Sequence, residues 1–324
     1  MLRSMYSAIS GVRNHQTKLD VIGNNISNVN THGFKKSRTI FKEMVSQNIG
    51  SASAATATRG GVNPKQVGLG STMAAIDTLH TTGALQSTSR TLDLAISGDG
   101  YFMVADKATG TGVGGSSFAS VLYTRAGNFY MDKDGYLVNA EGKYLVGIGP
   151  NGVTPTTEST NAVYPLANTV TRNTAVGSNN LDNSGTWNFP VTVNGVTVTY
   201  APIRIPTDAT EMSIGQDGTV TFVDANGELR WAGQIVLAKF PNTGGLQKVG
   251  SNYYTVTTNS GDPYMQTATV AGIGSIESGF LEMSNVDLSE EFTEMIVAQR
   301  GFQANARTIT TSDQILEELV NLKR

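Results

Sequence analysis

Cysteine is absent from all 324 residues, so the chain can hold no disulfide framework, no thiolate metal site and no thiol nucleophile. Charge is scarce as well. Charged residues make up 15% of the chain, well under the usual quarter or so. Lys plus Arg number 23 against 26 Asp plus Glu, a net charge of -3, which excludes the basic surface that nucleic acid or an anionic membrane requires. No apolar run approaches the roughly 18 residues of a membrane span. The start, Met1-Leu2-Arg3-Ser4-Met5-Tyr6, lacks the apolar block of a cleaved secretory signal. The expectation is a chain that inserts in no membrane and either stays in the cytoplasm or leaves the cell without a cleaved signal. Abundant Ser, Thr and Asn with 36 Gly suit a surface that meets many copies of itself, and equally an extracellular β protein.

What the chain does have is heptads, at its two ends and nowhere between. At the N-terminus Leu2, Ile9, Gln16 and Gly23 alternate with Met5, Val12, Leu19 and Ile26. At the C-terminus the same spacing runs Leu288, Phe292, Met295, Gln299, Phe302, Ala306, Ile309, Asp313, Leu316 and Val320. A repeat of three and four marks helices that bury a narrow seam against other helices. The apolar members of these two series are the candidate assembly interface. Gly11 and Gly23 each cost the first helix about 1 kcal/mol relative to Ala. Gln299, Asp313 and the run Thr308, Thr310, Thr311 weaken the second. Both ends are therefore expected to be largely disordered in the free chain and to fold on assembly. The alternative is an antiparallel pair within one chain, docked on a β body.

The intervening text is β. The first helical pattern stops near Asn28-Val29-Asn30-Thr31-His32-Gly33. Residues 31–70 read as a linker, including the low-complexity stretch Ser51-Ala52-Ser53-Ala54-Ala55-Thr56-Ala57-Thr58. Strand signals then fill 71–150 and 203–284, with Asp134-Gly135, Glu141-Gly142, Asp217-Gly218 and Asn226-Gly227 as hairpin turns. Residues 151–202 read as a small outer insertion around the hairpin Val191-Thr192-Val193-Asn194-Gly195-Val196-Thr197-Val198. The closing helix starts at Asp287, which caps it, with Glu290 three residues on. The fold class is α+β: terminal helices (1–30 and 285–324) forming a coiled-coil-like inner domain, a mostly antiparallel β middle domain, and the insertion.

No catalytic constellation emerges. His15, His32 and His80 lack metal-ligand spacing and read as surface or interface residues. Gly110-Thr111-Gly112-Val113-Gly114-Gly115-Ser116-Ser117 has no Gly-Lys-Ser/Thr and reads as a hairpin loop. Asp132 and Asp134 lack the remainder of a calcium loop and read as turn residues. No cofactor and no metal are expected. An enzyme would need such a site, and an adhesin would need neither terminal heptad.

Longer stretches carry a resemblance. Met5-Tyr6-Ser7-Ala8-Ile9-Ser10-Gly11 and Leu19-Asp20-Val21-Ile22-Gly23-Asn24-Asn25-Ile26-Ser27-Asn28-Val29-Asn30-Thr31 resemble the N-terminal motif of bacterial flagellar rod and hook proteins. Ser284-Asn285-Val286-Asp287-Leu288, Glu294-Met295-Ile296 and Gln299-Arg300-Gly301-Phe302-Gln303-Ala304-Asn305-Ala306 resemble the C-terminal one. Leu92-Asp93-Leu94-Ala95-Ile96, Gly98-Asp99-Gly100-Tyr101-Phe102 and Tyr123-Thr124-Arg125-Ala126-Gly127-Asn128-Phe129 resemble the central β domain of that family. Within it, Asn63-Pro64-Lys65-Gln66-Val67-Gly68-Leu69-Gly70 and Gly245-Leu246-Gln247-Lys248-Val249-Gly250 resemble the hook branch; the distal rod branch is the alternative. The resemblance implies a self-assembling curved tube that carries torque as a universal joint and leaves the cell through the flagellar export channel. As partners it implies further copies of the chain, a distal rod protein, a hook cap, a hook-length ruler and hook–filament junction proteins.

Overall fold

The computed structural model describes residues 2–56, 58–107, 118–148, 186–187, 190–193, 196–270 and 272–322. These fall into two compact units, one of residues Met1–Val29, Lys35–Leu79 and Val286–Arg324, the other of Asn30–Phe34 and His80–Asn285.

The first unit pairs the two ends of the chain. Helix α1 spans Leu2–Ser27 and helix α2 spans Leu288–Asn321. Asp287 caps α2 as its sequence predicts, its carboxylate accepting from the backbone N–H of Ser289 (2.8 Å) and Glu290 (3.5 Å). The structure corrects the expectation of disordered ends: both are helical, and they pack against each other within one chain. It also replaces most of the expected linker with strands. Ser37–Glu43 pairs antiparallel with Ser71–Thr78, and Ser46–Gly50 with Lys65–Gly68. Met44 N–H to Gly70 O and Leu69 N–H to Val45 O, both 2.9 Å, join the two pairs into one ribbon. The low-complexity stretch lies at its far end, held by bridges Ser53↔Val62 and Thr56↔Arg59. Strand Ser71–Thr78, expected in the β domain, belongs to this unit instead.

The far half of the ribbon escaped the sequence reading because its side chains alternate on no buried face. Ser46–Gly50 and Lys65–Gly68 are almost wholly exposed, so no period-two apolar signal exists. Backbone pairing and contact with α1 hold it. Ser10 Oγ accepts from Ser71 N–H (3.3 Å), Asn14 Nδ2 donates to Ser71 Oγ (2.9 Å), and Asn25 exchanges two hydrogen bonds with the Ser37 backbone (2.8 and 3.0 Å).

In the second unit every strand pairing among the described residues is antiparallel. The long strand Leu229–Lys239 is its hub, pairing with Thr219–Val223, Tyr101–Lys107, Tyr144–Ile148 and Tyr264–Thr267. Both faces of this sheet are covered. Phe102, Val104, Ile235 and Leu237 enter one core, while their neighbours Tyr101, Met103, Val236 and Ala238 enter another. Tyr101-Phe102-Met103-Val104 and Ile235-Val236-Leu237-Ala238 are unbroken apolar runs for that reason: alternate side chains point to opposite faces, and each face is buried. The four predicted turns form with Gly135, Gly142, Gly218 and Gly227 at φ of +80 to +83°, the left-handed geometry that favours glycine. Most of the expected insertion, and the loop 110–117, lie outside the described residues. Its hairpin strands Pro190–Val193 and Val196–Pro202 do pair, and the latter also joins Tyr144–Ile148 in the main sheet.

Candidate assembly interface

The α1–α2 seam is built from residues too small or too polar to announce it. Gly11 faces Asn305 and Gly301 faces His15, each pair so close that a Cβ on the glycine would lie within 3 Å of its neighbour. Asn25 Nδ2 donates to Glu291 Oε2 (3.1 Å), and Lys18 pairs with Glu294. These contacts run in opposite directions along the two helices, so the pair is antiparallel. On α1 the sequence Ala8, Gly11, His15, Lys18, Ile22, Asn25 keeps heptad spacing, and so does Glu291, Glu294, Ala298, Gly301, Asn305 on α2. Ala8, Gly11, Ile22, Asn25, Glu291 and Ala298 are buried. Small residues let two backbones approach closely.

The expected seam lies one stripe over. Met5, Ile9, Val12, Leu19 and Ile26 are half-buried on α1, as are Met295, Phe302, Ala306, Ile309 and Leu316 on α2. Leu288, Phe292 and Val320 are exposed, Phe292 by 50% and Val320 by 67%. The side chain of Leu2 lies outside the described residues. None of the other thirteen is fully buried, and Ile296 and Val297 add to the exposed apolar surface of α2 at 58% and 55%. The helix pair thus closes largely through small and polar residues and leaves Leu288, Phe292, Ile296, Val297 and Val320 exposed.

Electrostatics at the seam is modest. The Lys18–Glu294 pair is partly exposed, and such pairs add about 0–1 kcal/mol. His15 is set apart: Phe41 meets its ring edge-on, centroids 5.9 Å apart, and its Nδ1 is buried with no hydrogen-bond partner among the described residues. Burial, reinforced by the Lys18 ammonium, pushes its pKa below the usual histidine range. Among the described residues no cluster of His, Asp and Glu could hold a metal ion.

A helix pair that leaves Phe292, Ile296, Val297 and Val320 exposed, in a chain whose other unit is antiparallel β, fits a subunit of a larger assembly. Three family descriptions match the chain: "Flagella basal body rod protein" over residues 5–35, "Flagellar hook protein FlgE/F/G D1 domain" over 95–222, and "Flagellar basal body rod FlgEFG protein C-terminal" over 277–322. The chain is 51% identical to the flagellar basal-body rod protein FlgG of Bacillus subtilis over 330 positions, covering all of both chains. It belongs to the flagellar rod and hook protein family. Within Borreliella burgdorferi it is 34% identical to the flagellar hook protein FlgE over 452 positions and 31% identical to the flagellar basal-body rod protein FlgG over 327, again across the whole of each chain. As a member of this family the chain is a structural component of the flagellar axis.

Sequence reasoning missed the intramolecular seam because it searched for large apolar residues. The available signal was a second heptad of Gly, Ala, Asn and His, displaced from the first. Gly11 and Gly301, which look like helix defects, are the positions where the helices touch.

Proposed function

We propose that this chain is the hook subunit of a bacterial flagellum, one copy among many in a curved tube that passes torque from rod to filament. The observation that carries the reading is the comparison inside one organism. Where Borreliella burgdorferi offers both relatives, the hook protein is the more similar, at 34% against 31%. Two local features support it. The stretch 63–70 forms one edge of the exposed ribbon, and 245–250 forms the exposed strand Gln247–Gly250. Low charge density leaves few ion pairs to lock neighbouring bodies, and exposed pairs are weak in any case. In this reading the half-buried and exposed apolar stripes of α1 and α2 meet neighbouring copies in the inner wall. The tube stands outside the cell, exported without a cleaved signal. A distal rod protein, a hook cap, a hook-length ruler and hook–filament junction proteins are its other partners.

A distal rod subunit is the second reading, favoured by the 51% identity to the Bacillus subtilis rod protein. Electron microscopy of the purified protein, polymerised at high concentration, separates the two. Curved tubes support the hook, straight tubes the rod, and a chain that never polymerises overturns both.

A further inference from the structure

The chain passes between its two units four times, after Val29, Phe34, Leu79 and Asn285. Inside the β unit, the three segments that border these passages converge on one buried residue, Glu282. Glu282 Oε1 accepts from the Gly83 N–H at 2.9 Å, its main-chain oxygen accepts from the Gly33 N–H at 2.8 Å, and Oε2 accepts from Arg125 Nη1 at 3.2 Å. Both side chains of the ion pair are removed from solvent, Arg125 at 3% exposure and Glu282 at 0%. Arg125 is tied in turn to the sheet: Nη2 donates to Gly98 O (2.8 Å), Nη1 to Ile96 O (3.4 Å), and the guanidinium lies over the Tyr101 ring, 5.2 Å from its centroid.

Glycine is required at both satellites. Gly33 has φ +70°, and a Cβ there would stand 2.6 Å from the Ala126 nitrogen. A Cβ at Gly83 would stand 2.0 Å from Met283 O. Around this centre the same segments are cross-linked again. Met283 N–H donates to Ala84 O (2.9 Å), Asn285 Nδ2 to Thr81 Oγ1 (2.9 Å), and Asn252 Nδ2 to His32 O (3.1 Å). A buried ion pair adds little net stability over an apolar replacement, yet losing one partner is costly. Its use here is geometric.

We infer that Arg125 and Glu282 form an anchor in the β unit that holds the connecting segments 30–34, 80–85 and 282–285 as one block. Load arriving along any one segment is then delivered to the sheet through Arg125, and no segment peels away alone. Arg125 and Glu282 are positioning residues: removed from solvent themselves, they act through the segments they hold. The anchor also joins the Tyr123–Phe129 and Gly98–Phe102 stretches, since one supplies the guanidinium and the other a carbonyl that receives it.

Hydrogen exchange on the full chain, read by mass spectrometry, tests the anchor. In Glu282→Gln, peptides covering 30–34 and 80–85 are expected to exchange at least tenfold faster, while strands Tyr101–Lys107 and Leu229–Lys239 keep their protection. The decisive readout is 30–34, because Gly33 donates to a main-chain oxygen that the substitution leaves chemically unchanged. Faster exchange confined to 80–85 would overturn the inference, reducing the side chain to a local contact. Equal loss of protection through the central strands would overturn it too, placing the pair in the general core. Should that variant fail to fold, Arg125→Lys, which keeps the charge and loses the fork, is expected to give the same split; unchanged or uniform exchange would count against the anchor.

Discussion

His15 stands over the bare Cα of Gly301, so closely that a Cβ at 301 would lie 2.5 Å from its Cε1 and 2.6 Å from its Nε2. Replacing Gly301 with Ala therefore sets two effects against each other. Alanine favours the helix by about 1 kcal/mol, whereas overpacking a close contact costs about 1–3 kcal/mol. Phe41 restricts the ring from another side, so the clash wins and Gly301→Ala destabilises the helix pair. His15→Ala opens the space. The double variant is expected to recover at least about 1 kcal/mol of the loss, a coupling that a double-mutant cycle on denaturant unfolding of the helical signal measures. Simple additivity of the two substitutions would show that the ring moves aside freely.

The same histidine makes the seam sensitive to acid. Its folded pKa is depressed, by burial first and by Lys18 second, so folding prefers the neutral ring. The stability it contributes is present above the unfolded value of about 6.5 and is lost as pH falls from there through the depressed folded value. The charged groups nearest it in this arrangement are Lys18 and, through that lysine, Glu294; Phe41 offers no charge. Helix-pair protection against hydrogen exchange, corrected for intrinsic rates, is expected to fall between pH 7 and pH 5, and His15→Gln should flatten that dependence. An equal fall in the glutamine variant would assign the effect to carboxylates.

Gly127 tests the β core. A Cβ there would lie 1.7 Å from Leu94 O and 3.2 Å from the Phe102 ring, and neither a buried backbone carbonyl nor a ring in edge contact with Phe129 (5.4 Å) can yield. Gly127→Ala is expected to cost about 3 kcal/mol or more, seen as a large drop in the melting temperature of the β unit. A drop of only a few degrees would mean that the segment at Gly127 and the strand Leu94–Ser97 separate more readily than their packing indicates.

How much of this was legible in the residues depends on what each element buries. The hairpins around Gly135, Gly142, Gly218 and Gly227 were readable because turn chemistry is local. So was the α2 cap at Asp287. The far half of the ribbon, Ser46–Gly50 and Lys65–Gly68, was not, because its exposed strands carry no apolar period. At the ends the bulky heptad was readable but its partner was not: the residues that close the helix pair, Gly11, His15, Gly301 and Asn305, make contact by what they lack. Arg125 lay inside a motif noticed for its family likeness, and only the fold brings it to Glu282, far along the chain.

Phe292 separates the stability of one subunit from that of the assembly. It sits on α2 half exposed, one position from buried Glu291, facing away from the seam that joins α2 to α1. Surface substitutions away from special features change folding by within about 0.5 kcal/mol, so Phe292→Ala should leave the unfolding of the single chain nearly unchanged. If neighbouring copies bury that ring, its removal costs the polymer about 3–5 kcal/mol per subunit, which raises the critical concentration for polymerisation by at least a hundredfold. Leu19→Ala, half-buried against the chain's own structure, is the contrast: it should weaken both. Sedimentation of polymer over a concentration series, set beside denaturant unfolding of the dilute chain, reads the two quantities independently. A Phe292→Ala protein that polymerises at the original concentration would remove this face of α2 from the tube wall and turn the search to Ile315, Leu319 and Val320 at the other end of the helix.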